Sequence, residues 1–184
     1  MSAAQKPTYY IDTMILVYYL KKNYDKARAA TAKNFLKKIE DGYFNGVIST
    51  LAIGELIKVL REIMVEHENV TLPKDWQEEI KRGLQTIYGL KNVKLVKNFI
   101  TASTGQPVTL DYVSTEGLRI IDTYPGKTER NSRGDPVHDG CHIMDTYHIV
   151  LAKELGCSKI ATFDNDYVET KHECDALHLQ RDYW

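Results

Sequence analysis

The chain has 184 residues, 43% of them hydrophobic, which is enough for one domain with a real core. Its 24 Lys and Arg against 25 Asp and Glu leave a net charge of −1, which argues against a strongly basic nucleic-acid-coating protein but leaves room for a locally basic groove. Cys141, Cys157 and Cys174 form no CxxC pair, so a disulfide framework or a cysteine zinc cluster is not expected. With no apolar run of signal-peptide or bilayer-spanning length, a soluble protein of a reducing cytoplasm is expected.

In chain order, "TYYID" (8–12) reads as a short buried strand, and "MILVYYLKK" (14–22) as one or two helical turns. Residues 25–42 form a helix, with Ala27, Ala30, Phe35 and Ile39 on its apolar face and Gly42 as its stop. "GVIST" (46–50) is a second strand. In 51–67, Ile53, Leu56, Ile57, Leu60, Ile63 and Met64 recur at helical spacing and mark an amphipathic helix. Residues 73–90 start with Pro73 and acids and form another helix. "NVKLV" (92–96) is a third strand, and 109–124 a helix stopped by Pro125-Gly126. The polar stretch 125–140 has no apolar period and reads as a mobile loop. A helix over 142–156, a fourth strand over 159–163 and a short edge strand in 176–184 complete the chain. Strands alternating with helices predict a three-layer α/β/α sandwich around a mainly parallel sheet of four or five strands. No composition shift marks a linker, so 1–184 is expected to be a single domain.

In such a sheet ligands sit outside the carboxyl ends of the strands, where helix N-termini also gather. Asp12 closes the first strand, Glu55 lies in the first turns after the second, Asp145 opens the helix near His142, and Asp164 and Asp166 follow the fourth strand. All map to one edge of the expected fold. Taken singly, each acid has a bland reading: Glu55 and Asp145 could favour a helix dipole, worth ~0.3–1 kcal/mol each, and Asp164 could make a turn. Taken together, several carboxylates within a few ångströms repel and raise one another's pKa values. A divalent cation removes that penalty, and hard oxygen ligands suit Mg2+ or Mn2+. A metal so held can activate water and neutralise a phosphodiester transition state.

The arrangement resembles the PIN-domain family, especially the ribonuclease toxins of VapBC-type toxin–antitoxin pairs. "YYIDTMIL" is similar to the family's opening strand and first acid, "VISTLAIGELI" to its second strand with a Ser-Thr and a Glu, and "MDTYHIVLAKELGCSKIATFDNDY" to its closing helix–strand–acid unit. The matches run in the family's order from Tyr9 to Tyr167. The resemblance implies that Asp12, Glu55, Asp145 and Asp164 form the acidic quartet, that Asp166 is a frequent fifth acid, and that Thr13 and Thr162 are hydroxyls beside the acids. It further implies an Mg2+- or Mn2+-dependent endoribonuclease that leaves a 3′ hydroxyl and a 5′ phosphate, a small antitoxin partner, and a homodimer. The chain is longer than most toxins of the type, mainly through 66–90 and 125–140, which bears on the toxin role more than on the nuclease fold.

Other residues carry weaker signals. His138, Cys141, His142 and His148 match no ordinary structural zinc spacing. His148 shares a helix face with Asp145, and a core or hydrogen-bonding supporting role is expected for it before a general-base role. Lys127, Arg130 and Arg133 could grip a phosphate backbone or be merely solvated. Tyr9, Tyr10, Tyr18 and Tyr19, among 12 tyrosines, are expected to pack rather than stack on bases. The apolar helix after Asp12 exceeds what one core stripe needs and adds a motive for self-association. A phosphatase reading is weakened because Thr13-Met14-Ile15 lacks an Asp two residues after Asp12. An inactive RNA- or protein-binding scaffold is the rival from another class, as is an RNA-processing nuclease outside a toxin system.

Overall fold

The computed structural model describes residues 6–68, 70, 72–97, 104–124, 127–130, 136–139, 142–165, 167 and 170–180, with the backbone alone for 127–130 and 136–139. They cluster into two compact units, Met1–Lys97 and Asn98–Trp184.

The first unit runs β1 (Thr8–Ile11), α1 (Thr13–Leu20), α2 (Lys26–Glu40), β2 (Asn45–Ser49), α3 (Thr50–Glu62), α4 (Pro73–Tyr88) and β3 (Val93–Val96). Its strands lie in the order β3-β2-β1. Both pairings are parallel, with Tyr10 opposite Val47 and Val47 opposite Lys94. Parallel neighbours need long crossovers, and the paired helices between successive strands provide them. Local chemistry starts the helices: Asp25 accepts the Arg28 N–H and Ser49 Oγ the Ala52 N–H, at 3.0 and 3.1 Å. Gly42, at φ +79°, takes the left-handed turn that ends α2, as its position in the sequence predicts. The expected helix over 51–67 changes character at its end, where Ile63–His67 is a π-helical turn.

Three expectations change here. The buried face of α2 is Ala29, Ala32, Phe35, Leu36 and Ile39, while Ala27 and Ala30 are exposed. The face is thus rotated from the expected one, because the aromatic and branched residues set its phase and alanines follow. Helix α1 is buried nearly all round within the chain: Ile15, Leu16 and Val17 have no exposed surface and Tyr18 has 4%. Its apolar excess is satisfied internally, so α1 supplies no motive for self-association. Ile57 is 37% exposed, unlike the rest of its predicted stripe. It faces an open groove of about 350 Å³ shared with Trp76, Ile80 and Leu84 of α4. The tyrosines pack as expected: Tyr10 is fully buried, and the Tyr9 ring meets Phe35 and Phe44 edge-on.

The second unit contains α5 (Leu110–Thr123), β4 (Lys127–Arg130), β5 (Pro136–Asp139), α6 (Ile143–Glu154), β6 (Lys159–Thr162) and β7 (Ala176–His178). Strands β6 and β7 pair in parallel, with Ala161 opposite Leu177. The expected loop 125–140 instead contains an antiparallel pair, β4 with β5, in which Thr128 faces His138. A ladder is made by backbone groups, so it can form in a stretch whose side chains show no apolar period. Helices α5 and α6 pack closely: an added Cβ on Gly117 would stand 2.7 Å from Thr146 Oγ1, and Ser114 Oγ meets the Tyr147 hydroxyl at 3.0 Å. Outside, Glu173 accepts hydrogen bonds from Arg119 at 2.9 and 2.8 Å and from Lys153 at 3.2 Å. Among the described residues no helix is long and apolar enough to cross a membrane.

Candidate active site

Asp12 occupies the residue between β1 and α1, the N-cap position. It is only 6% exposed, yet its side chain makes no capping hydrogen bond to the helix. The bland role of a helix cap therefore does not account for it. Thr13, the next residue, donates from Oγ1 to Glu55 Oε2 at 2.7 Å. That bond brings Glu55, half-buried on α3, to the start of α1. The local cause is the cap at Ser49, which turns the chain from β2 straight into α3 so that the Glu55 turn lies at the carboxyl end of the strands. Ser49 is itself buried and hydrogen-bonds the Tyr10 hydroxyl at 2.6 Å, tying the ends of β1 and β2 together.

The second unit holds the other two acids. Asp145 lies in the first turn of α6, and its Oδ2 accepts the backbone N–H of His142 at 2.8 Å, so the helix-start role is real. Its Oδ1 faces the hydroxyl of Tyr167 at 3.4 Å. Burial pushes the Asp145 carboxyl above the ordinary carboxylate range, and the neighbouring Asp164 adds to the rise, against the opposing His142 N–H. Asp164 follows β6, and its backbone N–H is held by Thr162 Oγ1 at 2.9 Å. Thr162 and His148 are buried, His148 on the same helix as Asp145 and near enough to lower its pKa electrostatically.

The expected residues thus divide between the units, Asp12 and Glu55 in the first and Asp145 and Asp164 in the second. Thr13 meets the Glu55 carboxylate and Thr162 the backbone N–H of Asp164. Asp166, Arg133 and Cys141 lie outside the described residues, as do the side chains of Lys127, Arg130 and His138. Among the described residues no three His, Cys, Asp or Glu side chains are grouped so as to hold a metal ion. The donors present are carboxylates, hard oxygens that fit a divalent cation rather than a thiol-seeking metal. Two like charges kept together in a half-buried place, as at Asp145 and Asp164, are what a bound cation relieves. Sequence reasoning missed Tyr167, which lies 22 residues from its partner. It named Ser49 only as part of the Ser-Thr after the second strand, although a Ser directly before an apolar helical run is also an N-cap signal.

Comparisons with known proteins follow the same lines. The chain has no match among curated proteins. It resembles in structure a chain of VapBC2 from Rickettsia felis, solved bound to a DNA fragment from their promoter, with 14% identity and a TM-score of 0.54 over 92% of this chain and 97% of that one. It also resembles VapC20 of Mycobacterium tuberculosis, a sarcin-ricin-loop-cleaving toxin, with 12% identity and a TM-score of 0.51 over 88% of this chain and 93% of that one. At such identities these likenesses establish a common fold, the three-layer α/β/α class with a parallel sheet. The PIN-domain family model matches residues 9–173, a span that takes in Asp12, Glu55, Asp145 and Asp164 in the order of the strands and helices that carry them, and by that match the chain belongs to the PIN-domain family.

Proposed function

We propose that this PIN domain is a metal-dependent endoribonuclease, in which the whole chain acts as one catalytic domain and Asp12, Glu55, Asp145 and Asp164 act as one acidic set. The observation that carries the reading is the Asp145–Asp164 pair, two carboxylates near enough to repel at a place where burial already disfavours the charge of Asp145. Asp12, Asp145 and Asp164 would hold Mg2+ or Mn2+, with Asp166 as a further donor. When bound, such an ion supplies Lewis-acid polarisation of the phosphodiester and lowers the pKa of water. Glu55, braced by Thr13, orients the attacking water or holds a second ion. His148 keeps Asp145 in place from within α6. Lys127, Arg130 and Arg133 neutralise phosphates of a single-stranded RNA, the products being a 3′ hydroxyl and a 5′ phosphate. The toxin half of a toxin–antitoxin pair is the setting best supported by the likeness to VapBC2 and VapC20, and it implies a small protein partner.

Asp145→Asn tests the reading. Asn keeps the shape and an oxygen for the His142 N–H but removes one negative charge. Cleavage of a labelled RNA in Mn2+ should fall by orders of magnitude. Melting without metal should hold or rise, because the buried like-charge repulsion is gone. If Asp145 serves only the helix start, Asn costs a few tenths of a kcal/mol at roughly the scale of a dipole interaction and cleavage continues. A variant that melts slightly lower and cleaves at the wild-type rate sinks the proposal.

A further inference from the structure

We infer that Tyr167 is a positioning residue for Asp145, its buried hydroxyl holding Oδ1 in the orientation from which that carboxylate receives a divalent ion. The inference rests on the metal-dependent reading above and names a residue that the acidic motif does not include.

The geometry is particular. An aspartate that only starts a helix needs one N–H, and Asp145 has it in His142 at 2.8 Å on Oδ2. A second donor on Oδ1, from a residue 22 positions away, is surplus to that task. With one oxygen held from each side, the carboxylate cannot turn about its χ2 bond without losing both contacts. At 3.4 Å the hydroxyl contact is longer than the usual O–H···O range of about 2.5–3.0 Å, so it is a weak contact that guides the orientation of the carboxylate. The tyrosine is itself anchored. Its ring is 1% exposed, and Thr170 Oγ1, on a residue with no exposed surface, donates to its carbonyl at 3.1 Å. A phenylalanine would fill the same space with the same ring, so the hydroxyl is the part that needs an explanation. Carboxylates that ligate metals are themselves held by hydrogen bonds, and loss of such a partner weakens metal binding by about 10–100-fold.

The test uses the full chain. Mn2+ affinity is measured by calorimetric titration for wild type, Tyr167→Phe and Asp145→Asn, beside melting without metal and RNA cleavage across a Mn2+ series. Tyr167→Phe should bind Mn2+ roughly 10-fold more weakly. Its metal-free melting should stay within about 2 °C of wild type, under the shift expected from 1 kcal/mol in a chain of this size. Its cleavage rate should return toward wild type at saturating Mn2+, since the lost element is orientation. If Tyr167→Phe binds Mn2+ like wild type while Asp145→Asn does not, the inference is overturned and the metal reading stands. If wild type binds Mn2+ no better than Asp145→Asn, the metal reading fails and takes the inference with it. A Tyr167→Phe chain that does not fold also overturns it, by making the hydroxyl a requirement of the fold.

Discussion

Two glycines inside helices, Gly54 in α3 and Gly117 in α5, should respond to the same substitution with opposite signs. In a helix interior alanine is more favourable than glycine by about 1 kcal/mol. At Gly54 an added Cβ meets no heavy atom within 4 Å, so Gly54→Ala should gain most of that amount. At Gly117 the Cβ would stand 2.7 Å from Thr146 Oγ1 and 3.1 Å from two ring carbons of Tyr147. Neither neighbour can give way freely. Thr146 Oγ1 donates to the Ile143 carbonyl at 2.7 Å, and the Tyr147 hydroxyl is held by Ser114 at 3.0 Å. Overpacking of this kind costs about 1–3 kcal/mol, which offsets the propensity gain and leaves a net loss of roughly 0–2 kcal/mol. The two variants should therefore differ by about 1–3 kcal/mol in urea unfolding, or several degrees in melting temperature at ~2–4 °C per kcal/mol. Equal stabilisation of both would refute the close approach of α5 to α6 at Thr146, the residue beside Asp145.

Glu173 lies below the ordinary glutamate range because Arg119 donates to it, with Lys153 adding to the effect and burial opposing it. A depressed folded-state pKa stabilises above the unfolded value near 4.5 and stops doing so as pH falls through the folded value, so the stability gap between wild type and Glu173→Gln should be present at neutral pH and close in acid. With Arg119 43% exposed the gap should be under about 1 kcal/mol, and a gap that urea unfolding finds constant from pH 7 to about pH 3 would contradict the assignment. Thr13→Val removes the 2.7 Å donation to Glu55 at nearly constant volume. RNA cleavage should drop roughly 10-fold or more while stability moves by under ~1.5 kcal/mol, and unimpaired cleavage would remove Thr13 from the site.

The alternation of short apolar strands with periodic helices, and the fall of Asp12 and Asp164 at strand ends and of Glu55 and Asp145 in the first turns of helices, were legible in the sequence. Both are local properties: a strand or amphipathic helix is written in the spacing of its own residues, and a residue's distance from a strand end is simply counted. What depended on distant partners was not. Four alanines at 27, 29, 30 and 32 carry no information about which side of α2 faces inward, and Phe35 and Leu36 decided it by packing. The apolar surplus of α1 could belong to a core or an interface, and only the surrounding chain showed that it is core. The strands Lys127–Arg130 and Pro136–Asp139 are held by backbone hydrogen bonds, to which a hydrophobic pattern is blind. The hydroxyl that meets Asp145 belongs to Tyr167, across a helix, a strand and a turn. Periodicity records how strongly an element must be buried, whereas the neighbour that buries it, and the polar atom that comes to rest beside a given carboxylate, follow from close packing of segments far apart in the chain.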